Sequence, residues 1–343
     1  MSKIGIDVVT GGAGFIGSHL VDKLLAEGRE VLVVDSLVTG NLRNLEQHEG
    51  NSKLKLMIDD IADLTVMNSA LKHADRVFHL AARADIVPSI QNPLDYYRSN
   101  VDGTFSVLEA AREHQINRLI YIASSTCYGF PKECPTKETA EISPQYPYAL
   151  TKNLGEQMVM HWSQVYKIPA VSLRCFNVYG PRARTSGSYG AVFGVFLAQM
   201  LAGQPVTIVG DGQQTRDFTY VSDVVDALLC AANSNISNDI FNVGSGQPPV
   251  SINRLVDLLG ISKRTYIPKR PGEPDVTWAD VSKIRALLNW SAKVSIEDGV
   301  KIMLENIEYW KDAPVWTPAS IAEATRLWFN YLGDDQKMVS SEA

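Results

Sequence analysis

Tyr148 and Lys152 stand four residues apart at the start of an expected helix, so one turn brings a phenol and an ammonium onto the same face. A phenol is a weak base at its ordinary pKa of about 10, but a neighbouring ammonium and a positively charged redox ring both favour the phenolate. Such a pair can take a proton from an alcohol and return it. Tyr-x-x-x-Lys arises readily by chance in a chain with 13 Tyr, so its weight comes from its context. One neighbour is S-S-T-C-Y-G (Ser124 to Gly129), whose hydroxyls can touch a substrate. The other is T-G-G-A-G-F-I-G (Thr10 to Gly17), with G-x-G-x-x-G at Gly12, Gly14 and Gly17 and a second spacing through Gly11, Gly14 and Gly17. Glycines there permit a tight turn and close approach to a pyrophosphate, and the following helix offers free N–H groups to it. Asp35 ends the second apolar run. A carboxylate at that point accepts hydrogen bonds from ribose hydroxyls and repels a 2′-phosphate, which favours NAD over NADP.

These groups need a scaffold that collects them. Ile4 to Val9 is a β-branched run stopped by glycines, and Phe15, Ile16, Leu20, Leu24 and Leu25 then recur at helical spacing until Gly28. Further strands are expected at Val31 to Val34, Leu54 to Ile58, Arg76 to Ala81, Asn117 to Ala123 and Ala170 to Cys175, with helices over Pro93 to His114 and Pro147 to Lys167. Continuous apolar strands suit a parallel sheet covered on both faces. Residues 1–175 therefore read as an α/β, Rossmann-type doubly wound domain whose strand ends carry Gly11 and Ser124 to the ligand crevice. The alternation then weakens. A helix over Val192 to Leu201, strands at Val206 to Val209 and Asp239 to Val243, and helices over Asn253 to Leu259 and Ile296 to Trp310 predict a smaller mixed α/β lobe spanning 176–332. Residues at about 218–245 are expected to return to the first domain, and the polar tail 333–343 is expected to fray.

Composition excludes several classes. With 343 residues, 45% of them apolar and 20% charged, the chain can bury a substantial core. A net charge of −6 without a basic stripe argues against nucleic-acid binding. No apolar run approaches the roughly 18 residues of a membrane span, and the N-terminus lacks a leader pattern, so the cytosol is the expected setting. The four Cys have no C-x-x-C spacing and the six His no ligand spacing, so no metal site is expected.

Taken together these marks resemble the extended short-chain dehydrogenase/reductase family, specifically its sugar-nucleotide epimerases and dehydratases, over about residues 4 to 310. Further marks are Asp60-Ile61, H-L-A-A (His79 to Ala82), Asn100 in N-V-D-G-T, N-V-Y-G-P-R (Asn177 to Arg182), G-D-G-Q-Q-T-R-D-F (Gly210 to Phe218) and R-P-G-E-P (Arg270 to Pro274). The resemblance implies that Gly11, Gly14, Phe15, Ile16, Gly17 and Asp35 hold NAD, with Asp60 and Ile61 at the adenine. Ala81, Ala82 and Asn100 would also serve the cofactor, as would Tyr148 and Lys152 at its nicotinamide end. It further implies that Asn177, Arg216, Arg270 and Glu273 hold a nucleoside diphosphate. Two guanidinium forks in an acidic chain suit a pyrophosphate.

The resemblance also orders the possible reactions. The 4,6-dehydratases of the family carry an acid pair after the catalytic hydroxyl, at positions that fall here on Ser125 and Thr126, and the UDP-glucuronate decarboxylases carry Glu at the position of Thr126. What remains is 4-epimerisation of a UDP-sugar through a 4-keto intermediate. In that reading Tyr148 is base and then acid, Ser124 holds the C4 oxygen, Lys152 lowers the Tyr148 pKa, and Thr126 contacts the sugar. By the same resemblance the small Thr277 before W-A-D leaves room for a larger sugar, and the G-S-Y-G-A-V-F stretch (Gly187 to Phe193) resembles the loop of N-acetylhexosamine epimerases, so UDP-glucose, UDP-N-acetylglucosamine and UDP-glucuronate all stay open. The rival readings are a dehydratase or decarboxylase with substituted acids, and an NAD-binding redox sensor that catalyses nothing. A homodimer is implied, its four-helix bundle formed by the two helices above with Val101, Phe105, Leu108, Leu154 and Met158. Ala313 to Ala324 carries no functional expectation beyond a helix on the core or a subunit boundary.

Overall fold

A computed structural model describes residues 5–183 and 190–333. Glycine-punctuated apolar runs become β1 (Ile6–Thr10), α1 (Phe15–Ala26), β2 (Glu30–Val34), β3 (Leu54–Met57), α2 (Leu64–Leu71), β4 (Ala74–His79), α3 (Ile86–Gln91) and α4 (Pro93–Tyr97). They continue as α5 (Gly103–Glu113), β5 (Arg118–Ser124), α6 (Pro147–Tyr166) and β6 (Ala170–Cys175). The helix expected over Pro93 to His114 is interrupted by a wide π turn at Arg98–Asp102, after which a Cβ on Gly103 would collide with the Ile61 side chain.

Beyond β6 the chain forms β7 (Val178–Tyr179), α7 (Val192–Leu201), β8 (Val206–Val209), β9 (Thr215–Arg216), β10 (Thr219–Tyr220), α8 (Val221–Asn233) and β11 (Asp239–Val243). Then come β12 (Val250–Ser251), α9 (Ile252–Leu258), β13 (Arg264–Ile267), α10 (Ser282–Leu288), α11 (Ile296–Glu305) and α12 (Pro318–Leu332). The helix expected over Ile296 to Trp310 ends at Glu305, and Ile307–Trp310 follows as a separate 3-10 turn that drops Trp310 into the core.

Seven parallel strands form the central sheet in the order β3-β2-β1-β4-β5-β6-β11. Alternate side chains feed its two faces: Val9, Phe78, Ile120 and Leu173 pack toward one, Val8, Val77, Leu119 and Tyr121 toward the other. β11 joins at the β6 edge and α8 packs on α1, so the 221–243 stretch returns to the first domain. The remaining lobe has its own core around Phe196, Ile208, Leu255, Trp310 and Trp328. Strand order reverses between β1 and β4, and the crevice beyond their C-terminal ends is where such sheets bind ligands. The tail from 334 and the Gly187 to Tyr189 part of the loop singled out above lie outside the described residues. Among the described residues no helix is long and apolar enough to cross a membrane, and no group of three His, Cys, Asp or Glu could hold a metal ion.

Candidate active site

One cavity of about 830 Å³ runs from the ends of β1, β2 and β4 past β5 and into the second lobe. At its first end Gly11 turns the chain with φ +72°, and a Cβ there would strike the Ala81 backbone. A Cβ on Gly17 would overlap the Gly11 carbonyl oxygen. No side chain caps α1 at Gly14, and Phe15, Ile16 and Gly17 of its first turn line the cavity. Asp35 accepts hydrogen bonds from the N–H groups of Ala13 (3.0 Å) and Leu37 (2.9 Å), and burial pushes its pKa up. Asp60, Ile61, Ala81 and Ala82 line the same stretch. A glycine cradle with no room for side chains, an uncapped helix start and a carboxylate at the second strand end together fit a dinucleotide.

Asn100 departs from the expectation of a cofactor contact. It is buried behind the wall, where its side-chain amide accepts from the Arg83 N–H (2.8 Å) and donates to the Arg83 carbonyl (3.0 Å) and the Thr151 hydroxyl (3.0 Å). The π turn carries it there, and its polar atoms are spent on backbone and α6, so it shapes the wall rather than touching what lies inside.

β5 ends at Ser124, whose Oγ lies 2.9 Å from the Thr126 Oγ1. Pro147 starts α6, a position that suits its missing N–H and fixed φ, and puts Tyr148 on the first turn. The Tyr148 ring lies between Tyr96, edge-on at 6.5 Å, and Tyr146, nearly parallel at 6.5 Å. Burial pushes its phenol up to about 12, and a hydrogen bond with the Ser124 side chain works in the other direction. Lys152 is also buried, which pulls its pKa down to about 7. Its Nζ sits 4.2 Å from the centroid of the Tyr121 ring. Ser124 thus eases ionisation of Tyr148 through its hydrogen bond, and Lys152 follows one turn later on the same helix.

On the far side Arg270 Nη1 lies 2.8 Å and Arg216 Nη2 3.7 Å from the two carboxylate oxygens of Glu273. Arg216 Nη1 also donates to the Pro274 carbonyl (3.0 Å), and burial lowers the Arg216 pKa. Two guanidinium groups sharing one carboxylate leave a net positive, partly desolvated corner suited to an anion. The Thr277 hydroxyl donates to Asn177 Oδ1 (2.8 Å), and both residues line this part of the cavity. The structure thus brings every expected site residue except Asn100 to one cavity. It also adds residues that motif spacing did not flag: Tyr146, Asp85 and Ile86 of the stretch entering α3, and Trp316 and Trp328 from the C-terminal segment. Tyr146 was legible only as the neighbour of Tyr148; the two Trp carried no motif signal at all.

The sequence profile of the NAD dependent epimerase/dehydratase family matches residues 8–244. The chain is 36% identical over 301 residues to a putative UDP-glucose 4-epimerase of Methanocaldococcus jannaschii, covering 86% of this chain and 95% of that protein. It is 34% identical to the UDP-glucuronate 4-epimerase of Thermodesulfobacterium geofontis, over 91% of this chain and all of that one. Its fold is similar to the crystal structure of UDP-glucuronic acid 4-epimerase from Bacillus cereus in complex with UDP-glucuronic acid and NAD. The TM-score is 0.82 at 34% identity, over 88% of this chain and 99% of the other.

Proposed function

This chain belongs to the NAD dependent epimerase/dehydratase family, and we propose that it is a UDP-sugar 4-epimerase acting on UDP-glucose, UDP-N-acetylglucosamine or UDP-glucuronate. The observation that carries the reading is the end of β5, where Ser124, Ser125 and Thr126 offer hydroxyls and no carboxylate in the cavity that Tyr148, itself half-buried, also lines. A site of this kind can oxidise C4 of a sugar and reduce it again, but it lacks a strand-end acid to expel water from the neighbouring carbons.

Gly11, Gly14, Gly17 and Asp35 would hold NAD, with Asp60 and Ile61 serving its adenine end. When bound, NAD supplies reversible hydride acceptance from C4 of the sugar. Tyr148 takes the proton of the C4 hydroxyl on its phenolic oxygen and later gives it back. Ser124, hydrogen-bonded to that phenol, holds the C4 oxygen and shares the proton's path. Lys152, one turn after Tyr148 on α6, lines the same cavity and would orient the nicotinamide end of the cofactor. Arg216 and Arg270 grip the diphosphate and Asn177 lies beside them, so the 4-keto sugar can turn over while its anchor stays in place.

The test is to incubate the purified protein with the three UDP-sugars and analyse the products by NMR and mass spectrometry. The expected result is a C4 epimer of unchanged mass, with turnover lowered at least about 100-fold in Tyr148→Phe. Loss of water or carbon dioxide would move the assignment to the rival chemistries.

We also propose a homodimer through α5 and α6. Phe105 and Tyr166 are exposed large side chains, and Trp162 bridges them through ring contacts at 5.8 and 5.6 Å. Leu154 and Met158 are half-buried, whereas Leu108 and Val101 are buried within the protomer, which removes them from the expected interface. Four free thiols agree with a reducing, cytosolic setting.

A further inference from the structure

The C-terminal helix α12 lies outside both the family match and the span of the resemblance, yet it reaches the cavity. Thr317 caps it, accepting from the Ser320 N–H while the Ser320 hydroxyl receives the Thr317 N–H, and Pro318 opens its first turn. Ile321, Thr325 and Trp328 then recur at helical spacing and form the buried stripe of the helix, flanked by half-buried Ala324 and Leu332. A Trp at the end of such a stripe is ordinarily core. This one has a more specific set of neighbours.

The Trp328 indole N–H donates to the Pro271 carbonyl at 2.7 Å. The Arg270 guanidinium carbon lies 5.5 Å from the ring centroid. On another side Tyr146 sits 6.2 Å away, and Tyr146 is the ring stacked on Tyr148. One side chain from the C-terminal helix thus touches both the Arg that faces the expected diphosphate and the ring that backs the phenol. α12 is tied to the first domain as well, through Gln91 Nε2 donating to the Ala324 carbonyl at 3.1 Å.

We propose that Trp328 is a positioning residue of the substrate site: it fixes the Arg270 guanidinium for the diphosphate of the nucleotide sugar and holds Tyr146 against Tyr148. The inference rests on reading the cavity as a UDP-sugar site. A desolvated guanidinium over an indole is held by the ring quadrupole, and its carbonyl-anchored partner cannot drift, so Arg270 keeps its fork aimed before ligand arrives. Glu273 holds one edge of the same guanidinium, and the ring adds a second constraint on its plane.

UDP binding to the NAD-loaded protein, measured by calorimetry, tests this. Trp328→Leu is expected to weaken UDP about tenfold, whereas Trp328→Phe, which keeps an aromatic face, stays within about threefold of wild type. Tyr331→Ala, an exposed change on the same helix, leaves UDP binding as it was. In an Arg270→Gln background Trp328→Leu is expected to add less than about twofold, because its effect runs through Arg270. If Trp328→Leu does not fold, Trp328→Met takes its place in both arms. UDP affinity equal to wild type in the Leu or Met variant, or the same loss with and without Arg270, overturns the proposal while leaving the function intact. Wild-type protein that binds no UDP overturns the functional reading and this inference with it.

Discussion

His79 is fully buried at the end of β4, with Nδ1 2.8 Å from the Thr10 hydroxyl and Nε2 2.9 Å from that of Thr104. Burial, with Lys152 nearby, pulls its pKa down to about 3. An unfolded His titrates near about 6.5, so between these values only the unfolded chain takes the extra proton. The stabilisation is complete above about 6.5 and is lost as pH falls toward about 3, at up to about 1.4 kcal/mol per pH unit. Urea unfolding across that window should show this slope, flattened in His79→Asn; an unchanged slope in the variant would contradict the assignment. At this scale the sequence was informative about identity and silent about environment. Motif spacing named Ser124, Tyr148 and Asp35, and the family resemblance named Arg216 and Arg270; all of them line the cavity. The placement of Asn100 behind the cavity wall was not legible, because it depends on which atoms are buried and what faces them, and spacing carries neither.

Elements were legible where local periodicity sufficed. The runs Ala170–Cys175, Val206–Val209, Asp239–Val243 and Val192–Leu201 appear with the expected bounds. The π turn at Arg98–Asp102 and the break after Glu305 did not, since both answer to tertiary demands on side chains such as Asn100 and Trp310. The pairing that braces the catalytic strand end was hidden for the same reason. Glu156 of α6 and Arg174 of β6 form a buried ion pair at 2.5 Å, Ser172 donates to the same carboxylate, and Arg174 Nη1 donates to the Tyr128 hydroxyl at 2.9 Å. That hydroxyl in turn donates to Asn242 Oδ1 at 2.7 Å. Removing one partner strands a buried charge. Glu156→Ala should therefore lose about 3–5 kcal/mol in denaturant unfolding, and the paired Glu156→Leu, Arg174→Met variant markedly less. Equal losses in the two would show that the pair is not what braces this region.

For the whole molecule, the doubly wound sheet was readable because alternating strand and helix patterns admit few topologies. The path of the C-terminal segment back to the cavity was not, since a buried Trp looks the same in sequence whether it fills a core or lines a site. Association of two molecules is another whole-molecule property. If α5 and α6 pair across a two-fold, Phe105→Glu with Tyr166→Glu should convert a dimer to a monomer in sedimentation velocity. A wild-type monomer, or a dimer that survives both charges, would remove α5 and α6 from the interface.

The central claim is that the hydrogen on C4 leaves and returns to the same carbon without meeting solvent, while Tyr148 handles only the hydroxyl proton. Running the epimerisation in deuterium oxide and reading C4 of the product by NMR tests it most directly. The account predicts protium retained at C4 in the epimer; deuterium incorporated at C4 would contradict it.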